Sequence, residues 1–235
     1  MSVIETKNLS KSFEDVEAVE DLDLTVEEGQ LFGFIGPNGA GKTTVINLLT
    51  GQLKPSSGDC EVMGIDPVKE PKEVRKRVGI LPEREDPPSF FTPQEYFEFV
   101  GNIRGIQDVD EKIDEWSERL KFKDKLNKLN KDLSKGEKQK VMVVQAFLHE
   151  PDLVFIDEPL INLDPVMQEI IKNYLVEYME NDKTIFLSTH VMNLANEVCS
   201  HIGIIDNGRL VKQGKLKEIK EENEDLTEAF LRLVK

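Results

Sequence analysis

Two adjacent carboxylates, Asp157 and Glu158, stand at the end of the apolar run Leu153 to Ile156, and a third, Asp164, follows them. An unbroken apolar run of this kind predicts a strand buried on both faces of a parallel sheet. Carboxylates are costly to bury unless they are paired, hydrogen-bonded or bound to a metal. We therefore expect a cation beyond the end of this strand.

A glycine-rich segment, GPNGAGKT from Gly36 to Thr43, fits the phosphate-binding pattern G-x-x-x-x-G-K-[ST]. It follows an apolar strand, Leu31 to Ile35, and precedes a predicted helix that Gly51 closes. Glycines let successive N–H groups face phosphate oxygens, and the helix N-terminus adds partial positive charge. The pattern assigns Lys42 to the β- and γ-phosphates and the Thr43 hydroxyl to magnesium.

The two motifs together predict one site. In a phosphate-loop ATPase, an acid at the end of a second buried strand holds magnesium, often through water, and Asp157 suits that role. Glu158 would then orient or deprotonate the water that attacks the γ-phosphate. The charge of the metal makes the paired carboxylates tolerable. The alternative to a nucleotide site is a plain glycine-rich turn before a helix and two solvent-facing acids at a strand end. The flanking strand and helix, together with the coupling of the two motifs, disfavour it.

The surrounding elements predict an α/β fold, a phosphate-loop NTPase core with a mainly parallel sheet and an N-terminal antiparallel β part. Residues 1–82 read as strands around the phosphate loop, and strand and helix alternate again over 151–220. Between them, 83–150 reads as an inserted helical subdomain, with Thr92 as an N-cap and Pro93 at the first helical position. We expect one domain over 1–235, ending in a C-terminal helix at 221–235.

Composition narrows the function classes. Apolar residues make up 39% of the chain, too many for a disordered protein, and no apolar run approaches the length of a membrane span. The 45 acidic and 30 basic residues give a net charge of −15, which disfavours a nucleic-acid partner. Cys60 and Cys199 match no metal or redox spacing, so we expect buried free thiols. Without a signal peptide at its N-terminus, the chain is expected to be cytoplasmic.

Further motifs give the chain a resemblance to the nucleotide-binding subunits of ATP-binding-cassette (ABC) transporters. LSKGEKQKV resembles the family signature LSGGQ, FIDEP the second nucleotide motif, INLDP the D-loop, and LSTH the switch region that ends in His190. The resemblance implies ATP and Mg²⁺ as cofactors, Glu158 and His190 as catalytic residues, and Thr43, Glu83 and Asp157 around the metal. It also implies a nucleotide-contacting set: Phe13 on adenine, Val19 beside the ribose, Gly36, Pro37, Asn38, Gly39, Ala40, Gly41, Lys42, Thr43 and Thr44 in the loop, and Ser134, Lys135, Gly136 and Glu137 in the signature.

In this family two subunits face each other head to tail and hold ATP between the phosphate loop of one and the signature of the other. The resemblance therefore implies a homodimer, or a heterodimer with another ABC ATPase, that drives integral membrane permease subunits at the inner face of the cell membrane. Ser134 and the backbone of Gly136, at a predicted helix start, suit donation to a γ-phosphate presented by the partner.

Several positions depart from the family pattern. Lys135 and Glu137 replace glycine and glutamine in the signature, and we expect a helix N-terminus to tolerate both. Leu160 stands where threonine is common, and Ile161-Asn162 make the D-loop unusual. Glu83 replaces the usual glutamine of the Q-loop.

The single cassette resembles the ATPase subunits of the multidrug and sodium-export group. The aromatic residues Phe90, Phe91, Tyr96, Phe97 and Phe99 would then line the groove for a membrane partner, or form the core of the helical subdomain. Two other functions stay open, a soluble ABC-type ATPase and a regulatory subunit that senses ATP without hydrolysing it. Glu158 and His190 favour the hydrolysing enzyme.

Overall fold

The computed structural model of the protein describes residues 1–84, 86–160 and 163–234. The D-loop residues Ile161 and Asn162 therefore lie outside the described residues. None of the helices within the described ranges combines the length and the apolar character that a membrane crossing requires.

Strands and helices alternate through most of the described chain. The strands are β1 (Ser2–Phe13), β2 (Val16–Leu22), β3 (Thr25–Glu27), β4 (Leu31–Ile35), β5 (Ser57–Val62), β6 (Val78–Leu81), β7 (Leu153–Asp157), β8 (Thr184–Thr189), β9 (His201–Asp206) and β10 (Arg209–Lys215). The helices are α1 (Lys42–Leu49), α2 (Pro71–Arg77), α3 (Pro93–Arg104), α4 (Val109–Arg119), α5 (Lys135–Phe147), α6 (Pro165–Met179), α7 (Met192–Val198), α8 (Leu216–Ile219) and α9 (Leu226–Leu233).

The central sheet has the strand order β10-β9-β4-β8-β7-β6. Its neighbours from β9 to β6 are parallel, and β10 returns antiparallel to β9. Strands β4, β7 and β8 are buried along their whole length, as the apolar runs of β4 and β7 predict. Since the strands are parallel, the ends of β4 and β7 open on the same edge, and the phosphate loop meets Asp157 there.

A second, antiparallel sheet forms the N-terminal layer. Strand β1 pairs with β2, β3 and β5, and all three pairings are antiparallel. Its apolar side chains pack with α1 and one face of the central sheet, and Phe32, Phe34 and Phe186 belong to that cluster. This layer and the mainly parallel sheet confirm the predicted fold class.

Helices α3 to α5 make up the helical block between β6 and β7. Thr92 caps α3 through a capping box with Glu95, as the sequence predicts. Phe97 is fully buried and packs edge-on against Phe122, so it belongs to the core. By contrast, Phe90 is 80% exposed. The boundaries proposed for the core, the helical block and the C-terminal helix stay a prediction.

Two features of the structure were not expected from the sequence. A short helix, α2, precedes β6 and begins with Pro71 at its first position. Glu158 has a positive φ of 51°, a conformation that is strained for a side chain with a Cβ. Cys60 and Cys199 are buried free thiols, as predicted.

Candidate functional site

Steric constraints fix the shape of the phosphate loop. Gly41 has φ 104°, and a Cβ there would lie 2.4 Å from the carbonyl oxygen of Ala18. A Cβ on Gly36 would lie 2.3 Å from the carbonyl oxygen of Ile205. Glycine is thus required at both positions, because the loop runs directly against β2 and β9. Ala40 is also buried against this surface, and its carbonyl accepts from Gly208 N.

Lys42 opens α1 and turns back over the loop. Its Nζ donates to the carbonyl oxygens of Gly36 at 2.8 Å and Pro37 at 3.0 Å. Burial lowers the pKa of Lys42, and the charges of Glu158, Asp157 and Glu83 oppose that shift. Lys42 is only 7% exposed, and its hydrogen bonds to described residues go to neutral carbonyl oxygens, which phosphate oxygens could replace.

Asp157 lies at the end of β7 beside the first turn of α1. The Thr43 hydroxyl donates to Asp157 Oδ2 at 2.6 Å. Burial raises the pKa of Asp157, the hydrogen bond from Thr43 lowers it, and the charges of Glu83 and Glu158 raise it again. A buried carboxylate with two acidic neighbours and a hydroxyl in contact fits a hard divalent cation.

Glu158 is held by the last residues of β8 and by His190, which follows the strand. Its Oε2 accepts from the Thr189 hydroxyl at 2.9 Å. Its Oε1 accepts from the backbone N–H of His190 at 2.8 Å and lies 2.6 Å from His190 Nδ1. The backbone N–H of Glu158 donates to the Ser188 carbonyl at 3.0 Å. These contacts hold Glu158 in its left-handed conformation and bring together the two predicted catalytic residues.

Glu83 follows β6 and forms an ion pair with its neighbour Arg84, with Nε 3.0 Å from Oε1. Its side chain is 27% exposed, whereas Arg84 is largely solvated. The Glu83 charge raises the pKa of Asp157, which indicates that the two carboxylates sense each other. Within the described residues, no group of three or more acidic, histidine or cysteine side chains is arranged to bind a metal by itself. Magnesium commonly takes only one or two protein carboxylates and completes its shell with phosphates and water.

These residues surround one cavity of about 460 Å³. Its wall contains the following residues that the sequence predicts for the site: Asn38, Gly39, Gly41, Lys42, Thr43, Thr44, Glu83, Asp157, Glu158 and His190. Ala18 and Arg84 complete the wall and were not predicted.

Phe13 and Val19, both predicted to contact the nucleotide, differ in their exposure to solvent. Phe13 ends β1 and is 43% exposed, and Lys11 Nζ lies 4.9 Å from the centroid of its ring. An exposed ring at a strand end is available for stacking. Val19 is completely buried within the N-terminal layer, so its side chain does not reach the cavity, contrary to expectation. Its neighbour Ala18 reaches the cavity because successive side chains of a strand point to opposite faces.

The signature segment lies at the start of α5 and does not line this cavity. Ser134 and Glu137 form a capping box, in which Ser134 Oγ accepts from Glu137 N at 3.2 Å and Glu137 Oε2 accepts from Ser134 N at 2.8 Å. The hydrogen bond from the Ser134 backbone lowers the pKa of Glu137. Lys135 is exposed. Both departures from the family signature are thus compatible with the helix start, and Glu137 also stabilises it.

Comparisons with known proteins agree with this geometry. A family model described as ABC transporter matches residues 19–161. The ABC transporter ATP-binding protein NatA of Bacillus subtilis (strain 168) is 33% identical over 238 residues, which cover 97% of each chain. The Nod factor export ATP-binding protein I of Cupriavidus pinatubonensis (strain JMP 134 / LMG 1197) is 34% identical over 217 residues, 91% of this chain and 66% of that protein.

A solved structure of an ATP-binding subunit of an ABC transporter superposes with a TM-score of 0.93 at 29% identity, and covers 99% of this chain and 100% of that one. The agreement therefore extends over the antiparallel layer, the central sheet and the helical block. The chain belongs to the ABC transporter family, as one of its ATP-binding ABC ATPase subunits.

Proposed function

We propose that this chain hydrolyses ATP within a head-to-tail dimer and that the closing and opening of the dimer drive the membrane subunits of an exporter. The observation that carries the proposal is the position of Glu158. Its carboxylate is fixed by Thr189 and His190 and follows directly after Asp157, whose partner Thr43 lies on the phosphate-loop helix.

ATP binding is assigned to the phosphate loop and α1. The loop N–H groups and the N-terminus of α1 face the phosphates, and Lys42 exchanges its two carbonyl contacts for β- and γ-phosphate oxygens. The exposed ring of Phe13 stacks on the adenine. Ala18 lies where the ribose would pass, a role that we transfer to it from the buried Val19.

Glu158 is the general base for hydrolysis. It orients a water molecule in line with the γ-phosphate, and the water oxygen forms a bond to phosphorus as the bond to the bridging oxygen of ADP breaks. The water proton moves to the Glu158 carboxylate. His190 keeps the carboxylate oriented and presents its ring to the same cavity.

Thr43 and Asp157, with Glu83 nearby, are the residues that would hold Mg²⁺. When bound, this ion supplies positive charge that offsets the charge of the β- and γ-phosphates. The raised pKa of Asp157 supports this assignment, because a nearby cation would relieve the cost of its buried charge.

The dimer is supported by the location of the signature. Ser134, Lys135 and Gly136 start α5 outside the cavity that Lys42 and Glu158 line. One copy therefore offers half of a site, and the signature of a second copy or of a related ATPase would supply donors to the γ-phosphate from the other side.

The exporter role is supported by the name of one relative, the Nod factor export ATP-binding protein I. A membrane partner is supported by the exposed aromatic residues at the start of α3 and along it, Phe90, Phe91 and Phe99. Solvent-exposed aromatic clusters of this kind commonly mark protein contacts. Through such contacts the chain would lie at the inner face of the cell membrane.

The test is the variant Glu158→Gln, measured with ATP and magnesium. Removal of the base should reduce hydrolysis by about 1,000-fold and leave ATP binding intact. The nucleotide then stays in the site, so the variant should elute as a dimer in light scattering after size exclusion. Glu180→Gln, at the end of α6, is a matched control and should hydrolyse ATP as the wild type does. A Glu158→Gln protein that still turns over contradicts the proposal.

A further inference from the structure

Positive charge concentrates in the segment that carries the signature. Residues 121–140 contain eight lysines and three acids, in a chain whose net charge is −15. We call residues 121–140 the basic segment. The rest of the chain is therefore strongly acidic, and the basic segment has the opposite sign. Binding of one nucleotide in the cavity does not account for this concentration of lysines.

The lysines of the basic segment surround the start of α5. Lys125 Nζ lies 3.8 Å from Glu137 Oε1. In addition to the hydrogen bonds from Ser134, the charges of Lys128 and Lys125 lower the pKa of Glu137. The negative charge that Glu137 brings to the signature is thus offset within the same copy.

Other lysines of the basic segment are not paired. Lys128 and Lys135 are exposed, and neither forms an ion pair with an acid in the described ranges. Lys138, by contrast, pairs with Asp86 at 2.6 Å. Lys135 is therefore a free cation at the first position of the signature helix.

The nucleotide cavity has the opposite imbalance. Its wall contains three carboxylates, Glu83, Asp157 and Glu158, and two cations, Lys42 and Arg84. With glutamine in place of Glu83, as in the family pattern, the two signs would be equal in number. Bound ATP adds further negative charge, even when magnesium offsets part of it. One copy of the chain therefore leaves its nucleotide site short of a cation.

Glu83 is the carboxylate of this wall that a second molecule can reach. Its side chain is 27% exposed, whereas Asp157 and Glu158 are buried. Its Oε1 accepts from Arg84 Nε at 3.0 Å. Arg84 is largely solvated, and water weakens an ion pair of this kind. Glu83 is thus available to a further cation from outside the copy that carries it.

Lys135 lies where it can reach this carboxylate in the proposed dimer. It stands between Ser134 and Gly136, which the proposed function places against the γ-phosphate of the other copy. Consecutive Cα atoms are about 3.8 Å apart, and an extended lysine side chain spans about 6 Å. A cavity of about 460 Å³ measures roughly 10 Å across. The ammonium of Lys135 can therefore reach the wall that Glu83 lines.

We propose that the basic segment of one copy docks against the acidic nucleotide site of a second copy of this chain, and that Lys135 of one copy pairs with Glu83 of the other. This inference rests on the proposed function, which supplies the head-to-tail dimer. It adds the charge pair by which two copies recognise each other. Because a two-fold dimer repeats each contact, the pair occurs twice.

The two departures from the family pattern favour this partner over others that bind basic surfaces. A nucleic acid or an anionic membrane would bind the lysines but leave the added charge of Glu83 uncompensated. In the dimer, the added cation of Lys135 and the added anion of Glu83 lie on the two faces that meet, and their charges cancel.

The test is a double-mutant cycle on dimerisation in the Glu158→Gln background. Analytical ultracentrifugation with saturating ATP and magnesium gives the dissociation constant of the dimer for the parent, Lys135→Gln, Glu83→Gln and the double variant. Lys135→Gln should weaken the dimer about tenfold when Glu83 is present, and by less than about twofold when Glu83 is already replaced. Equal effects in both backgrounds would show that Lys135 acts on the phosphates or on the fold, and would overturn the pairing.

Exchange of the two charges supplies an independent check. Glu83→Lys and Lys135→Glu should each weaken the dimer by placing like charges opposite each other, and the combined variant should recover part of the loss. Lys217→Gln, which removes an exposed lysine of α8 outside the basic segment, is the matched control and should leave the dissociation constant unchanged. Thermal unfolding identifies any variant that fails to fold. A folded combined variant without recovery contradicts the pairing.

Salt separates complementary surfaces from net charge. Two copies of net charge −15 repel each other as wholes, so screening of that repulsion alone would tighten the dimer as potassium chloride rises. Docking of the basic segment predicts a weaker dimer at about 300 mM than at about 50 mM. A dimer that tightens with salt overturns the inference.

The same measurements distinguish the two levels of failure. If Glu158→Gln stays monomeric with ATP and magnesium, the proposed dimer and the inference both fail. If it dimerises and Lys135 and Glu83 are not coupled, only the inference fails.

Discussion

The two ends of the parallel strands β6 and β7 bury polar groups in opposite ways. At the carboxyl ends, Asp157 and Glu158 lie in a buried, charged site with Lys42. At the amino ends, His149 Nε2 lies 3.2 Å from the Val78 carbonyl, and the Tyr178 hydroxyl donates to the Pro151 carbonyl at 2.6 Å. One end holds charges, and the other holds neutral groups that bind backbone carbonyls.

The difference shows what each end is for. A buried charge costs free energy unless a partner or ligand compensates it, so three carboxylates around one cavity are consistent with the proposed cation site. A buried neutral group costs little once it is hydrogen-bonded, and it orders the backbone. Burial lowers the pKa of His149 to about 4, with the charge of Arg104 acting in the same direction. The histidine is therefore neutral at physiological pH.

Lys42→Ala should weaken ATP binding at the charged site. Without the ammonium, the β- and γ-phosphates lose their cation, and three nearby carboxylates repel them without opposition. We expect ATP affinity to fall by at least about 100-fold, or about 3 kcal/mol. Equilibrium binding of a fluorescent ATP analogue measures this loss.

The control for this variant is Lys172→Ala, which removes a partly buried lysine of α6 that pairs with Glu169 and Glu197. Its ATP affinity should equal that of the wild type. A Lys42→Ala protein with an affinity near wild type would show that the buried charge serves the loop structure rather than the ligand.

His149 tests the neutral end through the pH dependence of stability. In the unfolded chain the imidazole takes up a proton below pH about 6.5. In the folded chain it does so only near pH 4. Between these values the unfolded state binds more protons, so the free energy of unfolding must fall as the pH drops. After allowance for solvent screening, we expect a loss of roughly 2 kcal/mol between pH 7 and pH 4 that His149→Gln removes.

Urea unfolding at several pH values measures this effect. His201→Gln is the comparison variant, because His201 is less buried and its pKa is lowered more weakly, by burial and by Lys215. It should change the pH slope less than His149→Gln does. An identical slope in the wild type and in His149→Gln would mean that His149 is not kept neutral by the fold.

The charged site at the carboxyl ends of β6 and β7 was largely predictable from the sequence, since each of its motifs is a short contiguous segment. The phosphate loop is a contiguous pattern, and the acids follow directly after a short apolar run that predicts a buried strand. The pairing of Glu158 with His190 required the strand order, because the two residues are 32 positions apart in the sequence. The expected roles of His190 and of the signature residues came from the resemblance to ABC transporters, not from residue spacing.

Other features depended on long-range packing that no local pattern encodes. The contacts of Arg104 with Arg75 and Lys76 join residues nearly 30 positions apart. The exchange of Val19 for Ala18 at the cavity follows from the phase of β2, and a shift of one residue reverses which side chain is buried. Likewise, the aromatic residues of the helical block divide by helix face, with Phe97 in the core and Phe99 outside.

Glu83 adds a carboxylate to the charged site at a position where the family pattern has a neutral glutamine. At about 5 Å and an effective dielectric of about 20, a unit charge pair is worth roughly 3 kcal/mol. The ion pair with Arg84 and the partial exposure of Glu83 reduce this value, and we expect about 1 kcal/mol. With magnesium present, attraction to the metal offsets repulsion from the phosphates. Without magnesium, only the repulsion remains.

The variant Glu83→Gln removes this dependence while keeping an oxygen in place. ATP affinity is measured with magnesium and with a chelator, and the ratio of the two should be about fivefold larger in the wild type than in Glu83→Gln. Asp86→Asn is the matched control. This nearby acid pairs with Lys138 and does not line the cavity, so its loss should leave the ratio unchanged. If Glu83→Gln and the wild type give the same ratio, Glu83 does not act on the metal site. The Glu83 carboxylate would then act on the neighbouring cavity between α1, α3 and α5, whose wall it also forms.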